Sequence, residues 1–507
     1  MVIRCKVYRM KTKKFVAIDL GAESGRGILG SWNGEKIAIK ELHRFPTHNV
    51  RLHSHIYWDA LAIFSEIKKV LAEAKKEGEI SGLGVTTWGV DYGFIGDNDL
   101  LLSNPFHYRD RRTEGVPDEV FGIVPKEKIF EETGIQFMSL NTLYQLYATK
   151  KEFPYLLDSA KKLLFMPDLF NFFLTGSKSA EYTIASTSQM YSSNGQGQPS
   201  APRGGWTQDI LESLQIPTGF LPDVISPGTL IGNLSAGIKE EMGITSDIPV
   251  YAVCCHDTAS AVVSVPARDN VWAYLSSGTW SLLGVETENP IINEKSFKYN
   301  FTNEGGYGGS IRFLKNIMGL WIWQECRRRW EKNGQSLTYV QLAEMASSAQ
   351  PFLSFINVND NTFLFPGNMP EKIQEYCRKT GQKVPENIAQ ISRVVLESLA
   401  MEYRYAMENM EDTIGNRVET LHIVGGGSQN MLLSQFTASA TRKSVMAGPI
   451  EATAAGNLLV QAMANKEISD VPQLREIVRK SFPLFVYQPK DTSLWDENYE
   501  KYKMLVA

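Results

Sequence analysis

The chain is 507 residues long, 43% apolar and 21% charged, with a formal net charge of −4. That length exceeds one ordinary hydrophobic core and predicts two large domains, while the slightly acidic balance provides no broad basic field for nucleic acid. No apolar run reaches the roughly 20 residues of a membrane-spanning helix, so neither nucleic acid nor membrane is an expected partner. A monomer and a small homo-oligomer suit the sequence equally.

Met1 to Lys14 is basic and lacks the apolar centre of a secretory signal, so residues 1–14 are expected to form a flexible extension. The five cysteines, Cys5, Cys254, Cys255, Cys326 and Cys377, are odd in number and not at zinc-site spacing. That usage suits a reducing cytoplasm. Phe15 to Gly30 reads as strand, tight turn, strand. Asp19 ends the first strand, where a carboxylate can hold Mg²⁺ through water. The turn's backbone N–H groups, the Ser24 hydroxyl and the Arg26 guanidinium suit a phosphate, although a plain hairpin accounts for the same pattern.

Lys36 to Phe45 continues as an edge strand. Asp59 then caps a helix whose apolar stripe is Ile63, Phe64, Ile67, Val70, Leu71 and Ala74, stopped by Gly78. Gly82 to Ile95 is a buried strand interrupted by Trp88-Gly89-Val90-Asp91. Strand, helix, strand in this order predicts an α/β layer architecture. Arg109, Arg111 and Arg112 form a candidate anion or sugar loop, with a solvated surface as the plainer reading. Val124 to Thr175 is mainly helical in pattern, and Ser192 to Gly205 is a loop rich in Ser, Gly, Pro and Gln.

A second beginning follows. Pro249 to Cys255 is a strand, and His256 to Val263 opens a helix behind it. Asp257 at that helix start is either a plain N-cap or a carboxylate kept ionised by the helix dipole. Val271 to Gly284 repeats the opening pattern of strand, small-residue turn and strand, with Thr279 in the turn. Asn387 to Ile414 is a long amphipathic helix. Thr420 to Val424 is a strand running into Gly425-Gly426-Gly427, a tight turn or a place for backbone to lie against a base or ribose. Neither a dinucleotide fingerprint nor a P-loop is present. Gly448 to Asn457 starts one more helix. The expected division is 15–247 and 248–507.

Asp19-x-Gly21-x-x-Ser24-x-Arg26, the Ser277-Gly278-Thr279 hairpin, Val424 to Gly427 and Glu451-Ala452…Gly456-Asn457 stand in the order and spacing of the FGGY carbohydrate kinases. The chain resembles that family along nearly its whole length, apart from the N-terminal extension and residues 192–205. The resemblance implies an α/β fold of two actin/hexokinase-like (ribonuclease H-like) domains around an interdomain nucleotide and sugar cleft. The sugar-side segments Thr87–Asp91, Tyr108–Thr113, Gly134–Phe137, Asn141–Leu146, His256–Ala261, Thr302–Gly306 and Leu314–Trp321 most resemble the branch acting on L-rhamnulose. They imply phosphorylation of its C1 hydroxyl by ATP with Mg²⁺, giving L-rhamnulose 1-phosphate and ADP in L-rhamnose breakdown. A kinase for L-fuculose or L-xylulose, and a non-catalytic ATP-binding switch, are the alternatives.

The same resemblance makes Asp257 the catalytic base. It places Ala22, Glu23, Ser24, Gly25, Arg26 and Thr279 on the phosphates, Gln324 and Gly426 on the nucleotide, and Asp19 near the metal. Gly89, His256, Asp257, Thr258 and Asn316 become the substrate contacts, while Trp88 is either a stacking platform or a core residue. Glu23 departs from the small polar residue usual at its position. It is expected to meet phosphate through backbone alone, its carboxylate turned to solvent.

Overall fold

The computed structural model describes residues 12–192, 194, 202–268 and 271–506. The strand Lys13–Leu20 is buried from Phe15 onward, as an apolar run covered on both faces must be. It pairs antiparallel with Ser24–Trp32, setting Asp19 opposite Arg26, and parallel with Gly82–Thr87. The six-stranded sheet runs Thr229–Asn233, Pro249–Ala252, Gly82–Thr87, Lys13–Leu20, Ser24–Trp32, Ile37–Pro46. Its crossover helix, Ala60–Lys76, buries the predicted stripe except Phe64, and Asp59 caps it by accepting the Ala62 N–H.

A second sheet of seven strands runs Thr302–Gly305, Ile311–Met318, Trp280–Thr287, Trp272–Ser277, Thr420–Val424, Ser444–Ala447, Phe485–Tyr487. Both sheets share one plan. A hairpin is extended by a third antiparallel strand, the next in sequence in the first sheet but Ile311–Met318, which follows the edge strand Thr302–Gly305, in the second, and two parallel strands lie beyond its first strand. An antiparallel strand then closes that edge. The long helix Ile388–Ile414, capped by Asn387, is the crossover of the second sheet.

In each sheet the third parallel strand leads into a helix, Asp257–Val263 in the first and Ala452–Ala464 in the second. These two helices pack on each other. A Cβ on Gly456 would lie 1.8 Å from the Ser260 carbonyl oxygen, so only glycine allows this approach. Helix Ala452–Ala464 also covers the first sheet, where Asn457 donates to the Gly84 carbonyl at 3.1 Å and Gln461 to the Val16 carbonyl at 2.9 Å.

Three expectations need correction. Residues 1–11 lie outside the described residues, but Lys13 and Lys14 belong to the first strand, so the extension cannot run to 14. A break at 247/248 would cut Thr229–Asn233 from Pro249–Ala252, which hydrogen-bond in one sheet; the apolar run at Pro249 completes the first domain rather than opening the second. Tyr92–Ile95 leaves the main sheet after the left-handed Val90 (φ 68°). It pairs with Lys162–Phe165, a strand inside the stretch expected to be mainly helical. In the Ser192–Gly205 loop, residues 193 and 195–201 lie outside the described residues, and Tyr191–Ser192 pairs with Gly205–Trp206 at its base.

Candidate functional site

The two hairpin turns face each other across a cleft holding a cavity of about 340 Å³. Gly21 to Ser24 and Asp19 line one wall, Ser276 to Trp280 the other, with Trp88-Gly89, His256 to Thr258 and Asn316 also on its surface. Each turn closes on itself, the Gly21 N–H donating to the Ser24 carbonyl at 3.1 Å and the Gly278 N–H to the Trp280 carbonyl at 2.8 Å. A wider cavity of about 1230 Å³ shares Arg26, Gly278, Gln324 and Gly426 with the first, and Tyr339, Ala343, Gln429 and Met431 extend its walls. Thr279 and Gln324 meet at 3.4 Å where the two cavities join.

The three glycines after Val424 divide their work. Gly425 has φ +84°, and a Cβ on Gly427 would lie 2.0 Å from the Ser277 hydroxyl, so both are required by the turn itself. A Cβ on Gly426 would meet nothing within 4 Å. Its backbone is exposed where the two cavities meet.

Charge is concentrated on the first turn's side. Arg26 bridges Asp19 at 2.7 Å and Glu451 at 3.0 Å, and Asp19 first, then Glu451, strengthens its hold on the proton. Asp257 has no such cation. Its Oδ1 accepts from the Thr258 N–H at 2.6 Å and the Thr258 hydroxyl at 3.2 Å, while the side chain stays 32% exposed to the cleft. Burial between the domains, followed by repulsion from Asp19, pushes its carboxyl up to about 7. The helix dipole invoked from sequence favours the ionised form, but the short helix does not overcome desolvation here.

On the sugar side His256 is buried between residues of both sheets. Arg312, itself fully buried, donates from Nη2 to His256 Nδ1 at 3.1 Å and ion-pairs Glu304 at 3.1 Å through the same nitrogen. Burial and Arg312 hold the imidazole well below its ordinary pKa, so it is neutral. Its Nε2 faces Asp257 Oδ1 at 3.4 Å. A Cβ on Gly89 would stand 3.5 Å from that same nitrogen, so Gly89 leaves its approach open. Asn316, on a strand of the second sheet, hydrogen-bonds Gln136 from the first domain through its backbone N–H at 2.8 Å and its amide at 3.2 Å.

The structure thus brings Asp19, Ala22, Glu23, Ser24, Arg26, Gly89, His256, Asp257, Thr258, Thr279, Asn316, Gln324 and Gly426 to one cleft. Gly25 is not on its surface: it is buried in the sheet, where a Cβ would overlap the Phe45 ring at 2.4 Å. Glu23 is exposed, as expected, but its carboxylate is not free. Its carboxylate ion-pairs Arg328 on the helix Trp321–Lys332 of the other domain. Trp88 is chiefly a core residue, packed at a tilt against Trp58 with ring centres 4.1 Å apart and donating to Asp91 at 2.9 Å.

Of the three loop arginines Arg111 is exposed, as a solvated surface predicts, but the other two are not. Arg112 is buried and donates to the Gln145 carbonyl at 3.0 Å and the Thr149 hydroxyl at 2.7 Å. Arg109 is also buried and crosses to the second domain, where it packs over the Trp321 ring at 3.9 Å and donates to the Leu364 carbonyl. Sequence reasoning missed Gln136, Glu304 and Arg312 as parts of the site and gave Glu451 no role. Gln136, Glu304 and Glu451 lay in segments already singled out, whereas nothing in the sequence signals that Arg312 is buried.

A magnesium ion suits this donor set. Asp19 raises the proton affinity of both Asp257 and Glu451, so negative charge is crowded around the first hairpin turn. Among the described residues no group of three or more His, Cys, Asp or Glu side chains can hold a metal alone. Mg²⁺ instead takes one or two carboxylates together with phosphate oxygens and water.

Residues 14–264 match the model of the N-terminal domain of the FGGY family of carbohydrate kinases, and residues 273–465 match that of its C-terminal domain. A rhamnulokinase of Bacteroides thetaiotaomicron is 43% identical over 495 residues, covering 97% of this chain and 99% of that protein. One from Halalkalibacterium halodurans is 43% identical over 482 residues, covering 94% and 99%. The fold matches a ligand-bound xylulose kinase from Lactobacillus acidophilus with a TM-score of 0.77 at 15% identity, over 97% of both chains. Plasmodium falciparum glycerol kinase with ADP gives 0.77 at 14% identity, over 98% of both.

Proposed function

The chain belongs to the FGGY family of carbohydrate kinases, and we propose that it transfers the γ-phosphoryl group of ATP to the C1 hydroxyl of L-rhamnulose. The observation that carries this reading is Asp257: a carboxyl without a cation partner, held near neutrality, in a cavity bounded by both hairpin turns. A base with that affinity accepts the hydroxyl proton as the oxygen attacks and returns it readily to solvent. Phosphoryl transfer through a loose transition state asks little more of the base, so positioning and neutralisation of charge supply most of the rate.

His256 and Thr258 present hydrogen-bonding groups beside Asp257, Asn316 does so from the facing sheet, and Gly89 leaves room for the sugar. The turn from Ala22 to Ser24 and the Thr279 hydroxyl face the phosphates, with Arg26 between its two carboxylates at the same place. Gln324 and Gly426 border the nucleoside space. Asp19, with Asp257 and Glu451 nearby, would hold Mg²⁺, which supplies positive charge to phosphate oxygens when bound. Among the described residues four cysteines are free and buried, and no helix is long and apolar enough to cross a membrane; both facts suit work in a reducing cytoplasm.

The test is purified protein with Mg²⁺-ATP and a panel of L-rhamnulose, L-fuculose and L-xylulose, read as sugar-dependent ADP release. L-Rhamnulose is expected to give the highest kcat/KM by at least about tenfold, since missing or misplaced hydroxyls leave pocket donors unpaired. Preference for another of these ketoses would replace the substrate assignment. ATP binding without sugar-dependent turnover would point to a non-catalytic switch.

A further inference from the structure

We infer that Arg312, held in turn by Glu304, is a positioning residue for this reaction: it locks His256 as the Nε2–H tautomer, so that a neutral imidazole aims its one N–H at the sugar space beside Asp257. A guanidinium has donors and no acceptor. Arg312 Nη2 hydrogen-bonds His256 Nδ1 at 3.1 Å and lies in an ion pair with Glu304 Oε2 at the same distance. His256 Nδ1 must then present its lone pair, and the ring proton resides on Nε2. The Arg312 Nε–H donates to the Gly305 carbonyl at 2.9 Å, which fixes the plane of the guanidinium.

Without that donor the geometry offers His256 a different state. Nδ1 also lies 3.5 Å from Glu304 Oε2, and Nε2 lies 3.4 Å from Asp257 Oδ1. A proton moving to Nδ1 would turn Nε2 into an acceptor facing a carboxyl, and a second proton would make a cation between two carboxyls. Either state removes the neutral donor from the sugar space. Glu304 also hydrogen-bonds Asn316, so one buried carboxylate orients a group on each side of the pocket. The second sheet thereby sets the tautomer of a side chain carried by the first.

The inference rests on the cleft being a sugar site, but its first test needs no sugar. In protein labelled with ¹⁵N-histidine, two-bond proton–nitrogen correlations report which ring nitrogen is protonated, and the His256→Gln variant identifies the signal. Wild-type His256 is expected to be neutral and protonated on Nε2 at pH 7.5. Protonation on Nδ1, or a cationic ring, overturns the inference. Arg312→Met is expected to lose the Nε2–H state and to raise the sugar KM at least tenfold, with the ATP KM within twofold. In a His256→Gln background the same substitution should add nothing to the sugar KM. An equal further loss there would show that Arg312 acts through general packing, and an unchanged tautomer in folded Arg312→Met would equally sink the idea. Failure of L-rhamnulose turnover with a confirmed Nε2–H tautomer would count against the substrate assignment alone.

Discussion

The two sheets place a carboxylate at equivalent points, Asp257 at the first position of one helix and Glu451 at the cap of the other. Their surroundings differ in one respect. Glu451 is ion-paired to Arg26, whereas Asp257 accepts from Thr258, faces a neutral imidazole and is repelled by Asp19, with Arg312 acting on it only from a distance. Burial raises both, but Arg26 opposes the rise at Glu451. A duplicated backbone plan therefore yields one carboxylate whose charge Arg26 supports and one that lacks an ion-paired cation. The position is a property of the fold, and the chemistry is decided by whether a cation reaches it.

Removing the proton acceptor is the hardest test of that contrast. Asp257→Asn is expected to lower kcat about a thousandfold, within the range for a general base, while ATP binding measured by calorimetry is retained. The pH profile sharpens it. Because the Asp257 pKa is raised to about 7 and the active form is ionised, kcat/KM should fall tenfold per unit below that pH and level off above it. An acid limb near the usual aspartate value of about 4 would remove the distinction between the two carboxylates.

Arg26→Gln should have the next largest effect, because it strips the cation from both Asp19 and Glu451. An uncompensated charge pair of this kind costs on the order of 3 kcal/mol, so the ATP KM is expected to rise at least about tenfold with a smaller change in kcat. An unchanged ATP KM would mean that Glu451 is not kept charged by Arg26. The smallest effect is expected from Glu23→Gln. Its pair with Arg328 joins the domains but is 36% and 41% exposed, and exposed pairs are worth about 0.2–1 kcal/mol. Both KM values should stay within about threefold on that scale; a larger change would make this contact part of domain closure.

Much of this was legible in the sequence because strands and turns announce themselves locally. The opening hairpin, its repeat at Val271 to Gly284 and the capped helices all form as their residues predict. What failed depended on partners far along the chain. Glu23 looked like an anomaly beside phosphate until Arg328 supplied its counter-charge. Arg109 and Arg112 read as solvated because a run of arginines carries no sign of the carbonyls that bury it. Gly25 reads like its neighbours in the turn, and only the Phe45 ring against it shows that it serves packing. Glu304 and Arg312 are ordinary strand residues until two sheets enclose them.

The helix Ala452–Ala464 has a consequence for how the chain comes into being. Its Asn457 and Gln461 satisfy carbonyls of Gly84 and Val16, in strands made first by the ribosome. Those strands emerge long before the helix that covers them. The nascent N-terminal half is then an unfinished sheet with an open apolar face and unmet backbone acceptors, a state prone to aggregation. It becomes a complete domain only when nearly the whole polypeptide has been synthesised.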